Sequence, residues 1–335
     1  MLFRHVIASG NLGPVQESPV PVPCSGEVLL RVHATSINYH DLIGVNGGIP
    51  GLTVPRVPFS DACGTIEAVG EGVEGWTVGE RVLPSFFLDW ADGRPNRASL
   101  SRILGDQVDG ALQTHLVVPA RILAKAPQHL SHIQAATLCC AGLTAWRAIM
   151  VEAQIQRGQT VLLLGTGGVS LFGLAFARLS GAQVIITSSS DEKLSRAREL
   201  GADVTINYRK DVDWAKRVIE HTGGEGADLV IEVGGGGTLA QSIRAARVDG
   251  HVSVIGVLSG RDTQAFPAAA VMAKNLTVRG ITVGSTADLR AMCAAVENAQ
   301  ITPIVDSVYD LETAHEALEA MAAQQHFGKI AVTMP

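Results

Sequence analysis

The segment Thr160-Val-Leu-Leu-Leu-Gly165-Thr-Gly167-Gly168-Val169-Ser170 decides how the chain folds. Its apolar run predicts a buried parallel strand, and its glycines predict a tight turn where backbone can approach a phosphate. An apolar helix and a second strand, Gln183-Val-Ile-Ile-Thr187, follow. The N-terminus of such a helix favours an anion through its free N–H groups and dipole. The segment therefore predicts a βαβ unit that binds a dinucleotide through Gly165, Gly167, Gly168 and Val169.

The alternation of strands and helices continues along the second half of the chain. Further strands are expected at 204–208, 228–233, 251–257 and 276–283, with helices between them. Six such strands predict an α/β fold with a doubly wound parallel sheet. Ser131 is expected to cap a helix that continues to about residue 153.

The first part of the chain differs, because its strands are short and lie between glycine and proline turns. Strands are expected at 27–35, 64–70, 80–84 and 112–119, which predicts a small, irregular barrel-like domain. The tail predicts two amphipathic helices and a strand at 329–333, and we expect it to pack on the first domain. The predicted domains are therefore 1–125 with 286–335, and 126–285.

Composition narrows the possible partners. Hydrophobic residues make up 47% of the 335 residues and charged residues only 17%. The formal charge of −6 gives no electrostatic reason to bind nucleic acid or an anionic membrane. The five cysteines show no metal or disulfide spacing, and no signal peptide or membrane span is visible. We expect a cytoplasmic protein with reduced thiols.

Several motifs in this order resemble the medium-chain dehydrogenase/reductase superfamily, and most of all its zinc-free, quinone oxidoreductase-like branch. They are Asn38-Tyr39-His40-Asp41, Pro58-Phe-Ser60-Asp61, Ala141-Gly-Leu-Thr144, Ser188-Ser-Ser-Asp-Glu-Lys193 and Ile206-Asn-Tyr208. The resemblance implies a GroES-like catalytic domain, a Rossmann domain and an active site in the cleft between them. It also implies cofactor contacts from Thr144, Val233, Ile255, Gly256, Val257, Leu258, Ile281 and Val283.

Zinc-using members of this superfamily place a Cys, a His and a later Cys around the metal. By this resemblance, the matching positions in this chain are occupied by Asn38, Ser60 and Cys140. Catalytic zinc needs about three protein ligands of the Cys, His or carboxylate type. His40 and Asp61 lie nearby in sequence, but a hydrogen-bonded His and a structural Asp are the simpler interpretation. The four-cysteine lobe that holds a structural zinc is missing too. We therefore expect no metal.

The end of the second strand indicates which nicotinamide cofactor is used. NAD-preferring Rossmann folds place a carboxylate there to accept hydrogen bonds from the ribose. This chain has Ser188, Ser189 and Ser190, whose hydroxyls can donate to a 2′-phosphate. In the resembled branch, the residues at the positions of Lys193 and Tyr208 hold that phosphate. The alternative is that Lys193 is a solvated charge on a helix and that Tyr208 is an aromatic residue that packs against its neighbours. We expect NADPH.

Without zinc, hydrogen-bond donors alone must polarise the substrate. Hydride addition to an enone or quinone spreads charge as an enolate, which neutral donors can stabilise. The candidate catalytic residues are Asn38 and Tyr39 as donors and His40 as proton source, although each has a structural interpretation as well. The aromatic run at 86–90 fits either a wall of the substrate cleft or a small hydrophobic core.

Three functions are compatible with these residues. The first is an NADPH-dependent reductase of a small electrophile, an enone, quinone or aldehyde, that acts on an activated C=C bond or a quinone. The second is a zinc-free alcohol dehydrogenase or carbonyl reductase. The third is a nucleotide-binding protein without turnover. The sixth strand would form an apolar sheet edge, and pairing with its twin in a homodimer would cover that edge.

Overall fold

The computed structural model describes residues 1–260 and 266–335. The chain forms two compact units, Met1–Leu143 with Gly284–Pro335, and Thr144–Val283. Residues 126–143, which we expected in the second domain, belong to the first unit. The reason is that the helix His132–Ala136 packs against the strands Glu27–Ile37 and Cys63–Val69 of that unit.

The helices and strands follow the predicted order closely. The strands are β1 Leu2–Phe3, β2 Val6–Ala8, β3 Asn11–Leu12, β4 Gln16–Glu17, β5 Glu27–Ile37, β6 Cys63–Val69, β7 Arg81–Pro84, β8 His115–Pro119, β9 Leu123–Lys125, β10 Thr160–Leu163, β11 Gln183–Ser188, β12 Val204–Asn207, β13 Ala227–Glu232, β14 Ala246–Val254, β15 Thr277–Gly280, β16 Val305–Asp310 and β17 Lys329–Thr333. The α-helices are α1 Tyr39–Val45, α2 His132–Ala136, α3 Leu143–Trp146, α4 Gly168–Leu179, α5 Asp191–Glu199, α6 Trp214–His221, α7 Leu239–Ala245, α8 Ala268–Ala273, α9 Thr286–Asn298 and α10 Ala314–Ala323. A 3₁₀ helix covers Ala120–Ile122, and π-helical segments cover Leu138–Gly142 and Arg147–Glu152. No helix in the described ranges is long and apolar enough to cross a bilayer.

A seven-stranded sheet forms the centre of the first unit. Its order is β16-β17-β5-β6-β7-β9, and β8 also pairs with β5. The long strand β5 pairs antiparallel with β6, β8 and β17, so the N-terminal and C-terminal parts of the chain share one sheet. This confirms that the tail packs on the first domain. The edge strand β16, where exposed and half-buried residues alternate, was not predicted.

The second unit is a Rossmann domain with six parallel strands. Their order, β12-β11-β10-β13-β14-β15, confirms the doubly wound sheet. The centre of the sheet is buried on both faces, since Leu162, Ile185 and Val230 are almost fully covered. Strand β15 ends at Gly280, earlier than predicted, so Ile281 and Val283 lie beyond the strand.

The predicted helix from Ser131 to about residue 153 is interrupted. Ser131 caps it as expected, because its Oγ accepts a hydrogen bond from the Gln134 N–H at 3.2 Å. Beyond α2 the chain passes through both π-helical segments, which flank α3. Thr144 lies on α3, between them. Single-turn π segments occur frequently at functional sites in proteins.

Candidate functional site

The turn after β10 has the conformation that a phosphate-binding loop needs. Gly165 has a φ of 74°, which favours glycine. A Cβ atom added at Gly165 or Gly167 would meet no atom within 4 Å, so this side of the loop is open. Gly167 is the N-cap of α4, and Gly168 and Val169 begin the helix. The predicted residues therefore combine open space with helix N–H groups, which fits a pyrophosphate.

Ser170 occupies the position of the third glycine of the dinucleotide fingerprint. Its buried hydroxyl donates to the Leu164 carbonyl oxygen at 2.7 Å, which ties α4 to the end of β10. Close helix–strand packing comes from Gly173, one turn further on. A Cβ there would lie 2.8 Å from Leu163 Cδ2. The sequence analysis missed Gly173, which is visible as a lone glycine in an apolar helix.

The end of β11 brings the predicted ribose-side residues together. Ser188 is buried, and its carbonyl oxygen accepts a hydrogen bond from the Tyr208 N–H at 3.1 Å. Ser189 is half-buried, and Tyr208 is 41% exposed, so its ring is not a core residue. Ser190 caps α5 by accepting a hydrogen bond from the Lys193 N–H at 3.3 Å, which places Lys193 in the first turn. The exposed position leaves Tyr208 accessible to a ligand, as the cofactor prediction requires.

Asp191 is the first carboxylate after β11, and neighbouring side chains hold it. Asn207 Nδ2 donates to one carboxylate oxygen at 2.7 Å, and Lys210 Nζ lies 2.6 Å from the other. The hydrogen bonds from Asn207 and Lys210 lower the pKa of Asp191, so it stays ionised. Its charge is balanced by Lys210 on the neighbouring chain segment. The basic pair Arg209-Lys210 after the third strand was the signal for this arrangement.

The loops after β13 and β14 pack tightly on each other. Ile255 N–H and Leu258 N–H donate to the carbonyl oxygens of Glu232 and Val233, at 2.8 and 3.2 Å. A Cβ on Gly256 would lie 2.4 Å from the Val233 carbonyl oxygen, so only glycine fits there. Val257 belongs to the same contact, since its Cα lies 2.8 Å from a Cβ built on Gly235. Five predicted cofactor residues are thus neighbours in space.

A buried carboxylate that the sequence analysis missed holds this loop. Glu232 is fully buried. One of its oxygens accepts hydrogen bonds from Gly234 N–H, Gly235 N–H and the Thr238 hydroxyl, at 2.6, 2.9 and 2.6 Å. Three donors on one oxygen fix the glycine-rich turn. An acidic residue at the end of an apolar strand and before a glycine run was the available signal.

The segment after β15 contains a strained residue. Val283 has a φ of 46°, unusual for a β-branched side chain. Buried Arg147 donates to the Thr282 and Val283 carbonyl oxygens, at 3.3 and 3.5 Å. Such strain occurs often at ligand-binding sites. Ile281, Val283 and Thr144 are all buried.

The first unit holds a cluster of buried polar side chains where β5 meets α1. Asn38 is the N-cap of α1, and its N–H donates to Asp41 Oδ2 at 2.8 Å. The other Asp41 oxygen accepts the Ser60 N–H at 3.0 Å. Burial raises the pKa of Asp41 to about 6, although the charge of His40 opposes this. Asn38 Nδ2 points to Ser60 Oγ, 3.4 Å away, and Asn38 Oδ1 accepts a hydrogen bond from Lys329.

His40 pairs with a carboxylate that is distant in sequence. Its Nε2 lies 2.8 Å from Asp106 Oδ2. The His40 side chain is 31% exposed, whereas that of Asp106 is 4% exposed. Burial alone lowers the pKa of His40, but the hydrogen bond and charge of Asp106, with the charge of Asp41, outweigh it and raise the pKa. His40 is therefore more readily protonated than a free histidine. Tyr39, next to it, is half-buried.

The aromatic run at 86–90 is buried. Phe86, Phe87 and Trp90 are each at most 3% exposed and form a chain of ring contacts that begins at His40. The His40 and Phe86 ring centroids are 5.3 Å apart. Of the two predicted roles, this burial supports the small hydrophobic core, which braces the His40 ring.

The donors at the three zinc-type positions do not match a zinc site. Asn38 turns its amide oxygen toward the Lys329 ammonium, Ser60 offers a hydroxyl, and only Cys140 is a preferred ligand. Within residues 1–260 and 266–335, no three His, Cys, Asp or Glu side chains are grouped closely enough to hold a metal ion. Asp61, the nearby carboxylate, is fully buried and accepts a hydrogen bond from Ser36.

Comparisons with known proteins agree with this architecture. Residues 24–128 match the model of the alcohol dehydrogenase GroES-like domain, and residues 168–298 match that of a zinc-binding dehydrogenase. A zinc-type alcohol dehydrogenase-like protein of Schizosaccharomyces pombe is 44% identical over 98% of this chain and 99% of its own. Human quinone oxidoreductase is 28% identical over 90% of this chain and 86% of its own. A mycobacterial protein solved in complex with NADPH has a TM-score of 0.83 at 28% identity, covering 99% of both chains.

Proposed function

Because this chain is an oxidoreductase of the medium-chain dehydrogenase/reductase superfamily, we propose that it reduces the activated C=C bond of an enone, or a quinone, with NADPH and without zinc. The observation that carries this proposal is the side-chain set at the start of α1. Where zinc ligands would stand, the chain has the amide donor Asn38, and next to it a histidine paired with buried Asp106. The likeness to quinone oxidoreductase supports the substrate class.

NADPH rather than NADH is supported by the end of β11. Buried Ser188 stands where a ribose-binding carboxylate would stand, and Ser189 follows it. The next carboxylate, Asp191, is held by Asn207 and Lys210. Lys193 and the exposed Tyr208 are the proposed partners of the 2′-phosphate. A relative that was solved with NADPH supports the same choice. When bound, this cofactor supplies the hydride from the nicotinamide ring.

Zinc independence is supported by chemistry and by charge. Of the three zinc-type positions, Asn38, Ser60 and Cys140, only the cysteine is a preferred zinc ligand. The Lys329 ammonium also donates a hydrogen bond to Asn38 Oδ1, so a positive charge already lies beside that oxygen. A divalent ion beside a buried ammonium would be strongly repelled at low dielectric. This disagrees with the zinc-binding description of the matching family model, and we give the donor set more weight.

In the proposed reaction, the protein stabilises the enolate oxygen and returns a proton. Asn38 Nδ2 donates to the substrate oxygen, which removes the need for a Lewis acid. His40, whose pKa is raised by Asp106, gives a proton to the α-carbon directly or through water. Tyr39 is a second candidate donor beside them. Hydride addition to an isolated ketone places the full developing charge on one oxygen. Neutral hydrogen-bond donors stabilise that concentrated charge less well than the spread charge of an enolate.

The experiment that tests this follows a deuterium label from NADPH. The protein is incubated with NADPH deuterated at the nicotinamide C4 and 2-cyclohexenone, and the product is examined by NMR. Deuterium at the β-carbon supports the proposal. Deuterium at the carbonyl carbon would instead show that the protein is a carbonyl reductase. Nucleotide binding without oxidation across enones, quinones and aldehydes would show a protein without turnover.

We also propose a homodimer that pairs β15 with its counterpart. Strand β15 is the edge of its sheet, and its Val278 is only half-buried. Helix α8, with the sequence Ala-Ala-Ala-Val-Met-Ala, has no buried residue, and Met272 is 75% exposed. Apolar surface of this kind beside an open sheet edge is typical of a subunit interface.

A further inference from the structure

Lys329 is a buried lysine with three hydrogen-bond acceptors around it. It begins β17, and its side chain is 3% exposed. Its ammonium lies 2.8 Å from the Ile37 carbonyl oxygen, 2.5 Å from Asn38 Oδ1 and 3.4 Å from Asp61 Oδ2. Burial of a charge is costly without such partners, so this arrangement requires an explanation.

The distances show that Asn38, more than Asp61, is the close side-chain partner of the ammonium. The Asp61 oxygen that faces Lys329 also accepts a hydrogen bond from the Ser36 hydroxyl at 2.5 Å, so the carboxylate is engaged elsewhere. A lysine that merely neutralised Asp61 would be expected to approach it more closely than 3.4 Å. The ammonium instead makes its shortest contact with the amide oxygen.

We propose that Lys329 is a positioning residue that fixes the Asn38 amide with its Nδ2 N–H groups turned toward the substrate oxygen. An ammonium has three donors and no acceptor, so only the oxygen of the amide can face it. The two N–H groups must then point to the other side, where one finds Ser60 Oγ at 3.4 Å. That long contact leaves donor capacity for a ligand.

The same hydrogen bond also strengthens Asn38 as a donor. A positive charge on the amide oxygen polarises the amide, and hydrogen bonds in chains reinforce each other at low dielectric. The backbone end of the residue is fixed as well, because Asn38 N–H donates to Asp41. Lys329 thus passes the effect of a buried positive charge to the substrate through a neutral amide, while remaining covered itself.

This inference rests on the proposed function, and the test separates the two. The full-length protein is assayed with NADPH and 2-cyclohexenone as wild type, Lys329→Arg, Asn38→Ala and the charge-neutral double variant Lys329→Met/Asp61→Asn. The double variant avoids leaving Asp61 buried and unpaired, which would threaten folding. Lys274→Met is the matched control, because the acceptors of the Lys274 ammonium among the described residues are the carbonyl oxygens of Ile243, Arg244 and Ala246.

We expect the double variant to lose about 10- to 100-fold in kcat, with KM changed less than about threefold, because an oxyanion donor is misplaced. Adding Asn38→Ala to the double variant should cause no further loss of kcat. The single variant Lys329→Arg, which keeps a positive charge and donors only, should retain most of the wild-type kcat. Lys274→Met should lower the melting temperature without changing kcat. Losses that add independently in the combined variant, or a double variant with wild-type kcat, would overturn the inference. A wild type inert with all enones and quinones would instead overturn the proposed function.

Discussion

Replacing Asp106 by Asn tests the role of His40 at its most specific contact. The change keeps the size of the side chain and removes the charge that faces His40 Nε2 at 2.8 Å. A hydrogen bond to a charged group contributes about 1.5–3 kcal/mol, and one pKa unit corresponds to about 1.4 kcal/mol. The pKa of His40, which Asp106 raises, should therefore fall. Because the His40 side chain is 31% exposed, we expect the energy of this contact at the lower end of that range.

The direction of the pH effect follows from the role of His40 as an acid. Its pKa is raised in the folded protein, so the protonated form persists to higher pH than in a free histidine. As pH rises through that pKa, kcat/KM should fall because the proton donor is lost. In Asp106→Asn the same fall should begin at lower pH, whereas at low pH the two proteins should be nearly equal.

The assay is kcat/KM for 2-cyclohexenone as a function of pH, together with an NMR titration of the His40 ring. Asp109→Asn is the control, because Asp109 lies in the same loop and its carboxylate accepts only the Val57 N–H, at 2.9 Å, among the contacts described. If Asp106→Asn lowers the pKa of the ring but leaves the pH profile of turnover unchanged, His40 is not the proton donor. An unchanged ring pKa would refute the electrostatic reasoning itself.

Three further predictions concern other parts of the molecule. Ser188→Asp should weaken NADPH relative to NADH at least tenfold, about 1.4 kcal/mol, because a carboxylate repels the 2′-phosphate; fluorescence titration measures both dissociation constants. Burial, with the charges of His33 and Arg81, lowers the pKa of His132 from 6.5 to about 4, so stability is lost as pH falls through this range. His132→Gln should then unfold at lower pH than wild type by circular dichroism. Met272→Glu should yield monomers in sedimentation velocity, and an unchanged sedimentation coefficient would contradict the proposed interface.

The fold was predictable because its signals are local. Apolar runs that end in glycines gave the strands of the Rossmann sheet, and Ser131 marked a real helix start. The interruption of that helix was not predictable, because π-helical segments depend on packing rather than on residue type. The edge strand β16 was missed, because its alternation is weak and its partner β17 lies 19 residues beyond its end.

The candidate site was predictable only in part. Phosphate-loop glycines and the serine run follow motifs, so Gly165, Gly167 and Ser188 could be named from sequence. The pairs His40–Asp106 and Asn38–Lys329 join residues 66 and 291 positions apart, and no local pattern indicates such contacts. The Asn38–Lys329 pair arises because antiparallel pairing of β17 with β5 brings the end of the chain to the start of α1.

The central claim is that NADPH reduces an activated C=C bond here without a metal ion. The most direct measurement is the NADPH oxidation rate of protein treated with a chelator and assayed for bound metal, with 2-cyclohexenone and cyclohexanone compared side by side. The account predicts full activity toward the enone at negligible zinc content, and little or none toward the saturated ketone. Loss of activity on chelation that returns with added zinc, or equal rates with both substrates, would contradict it.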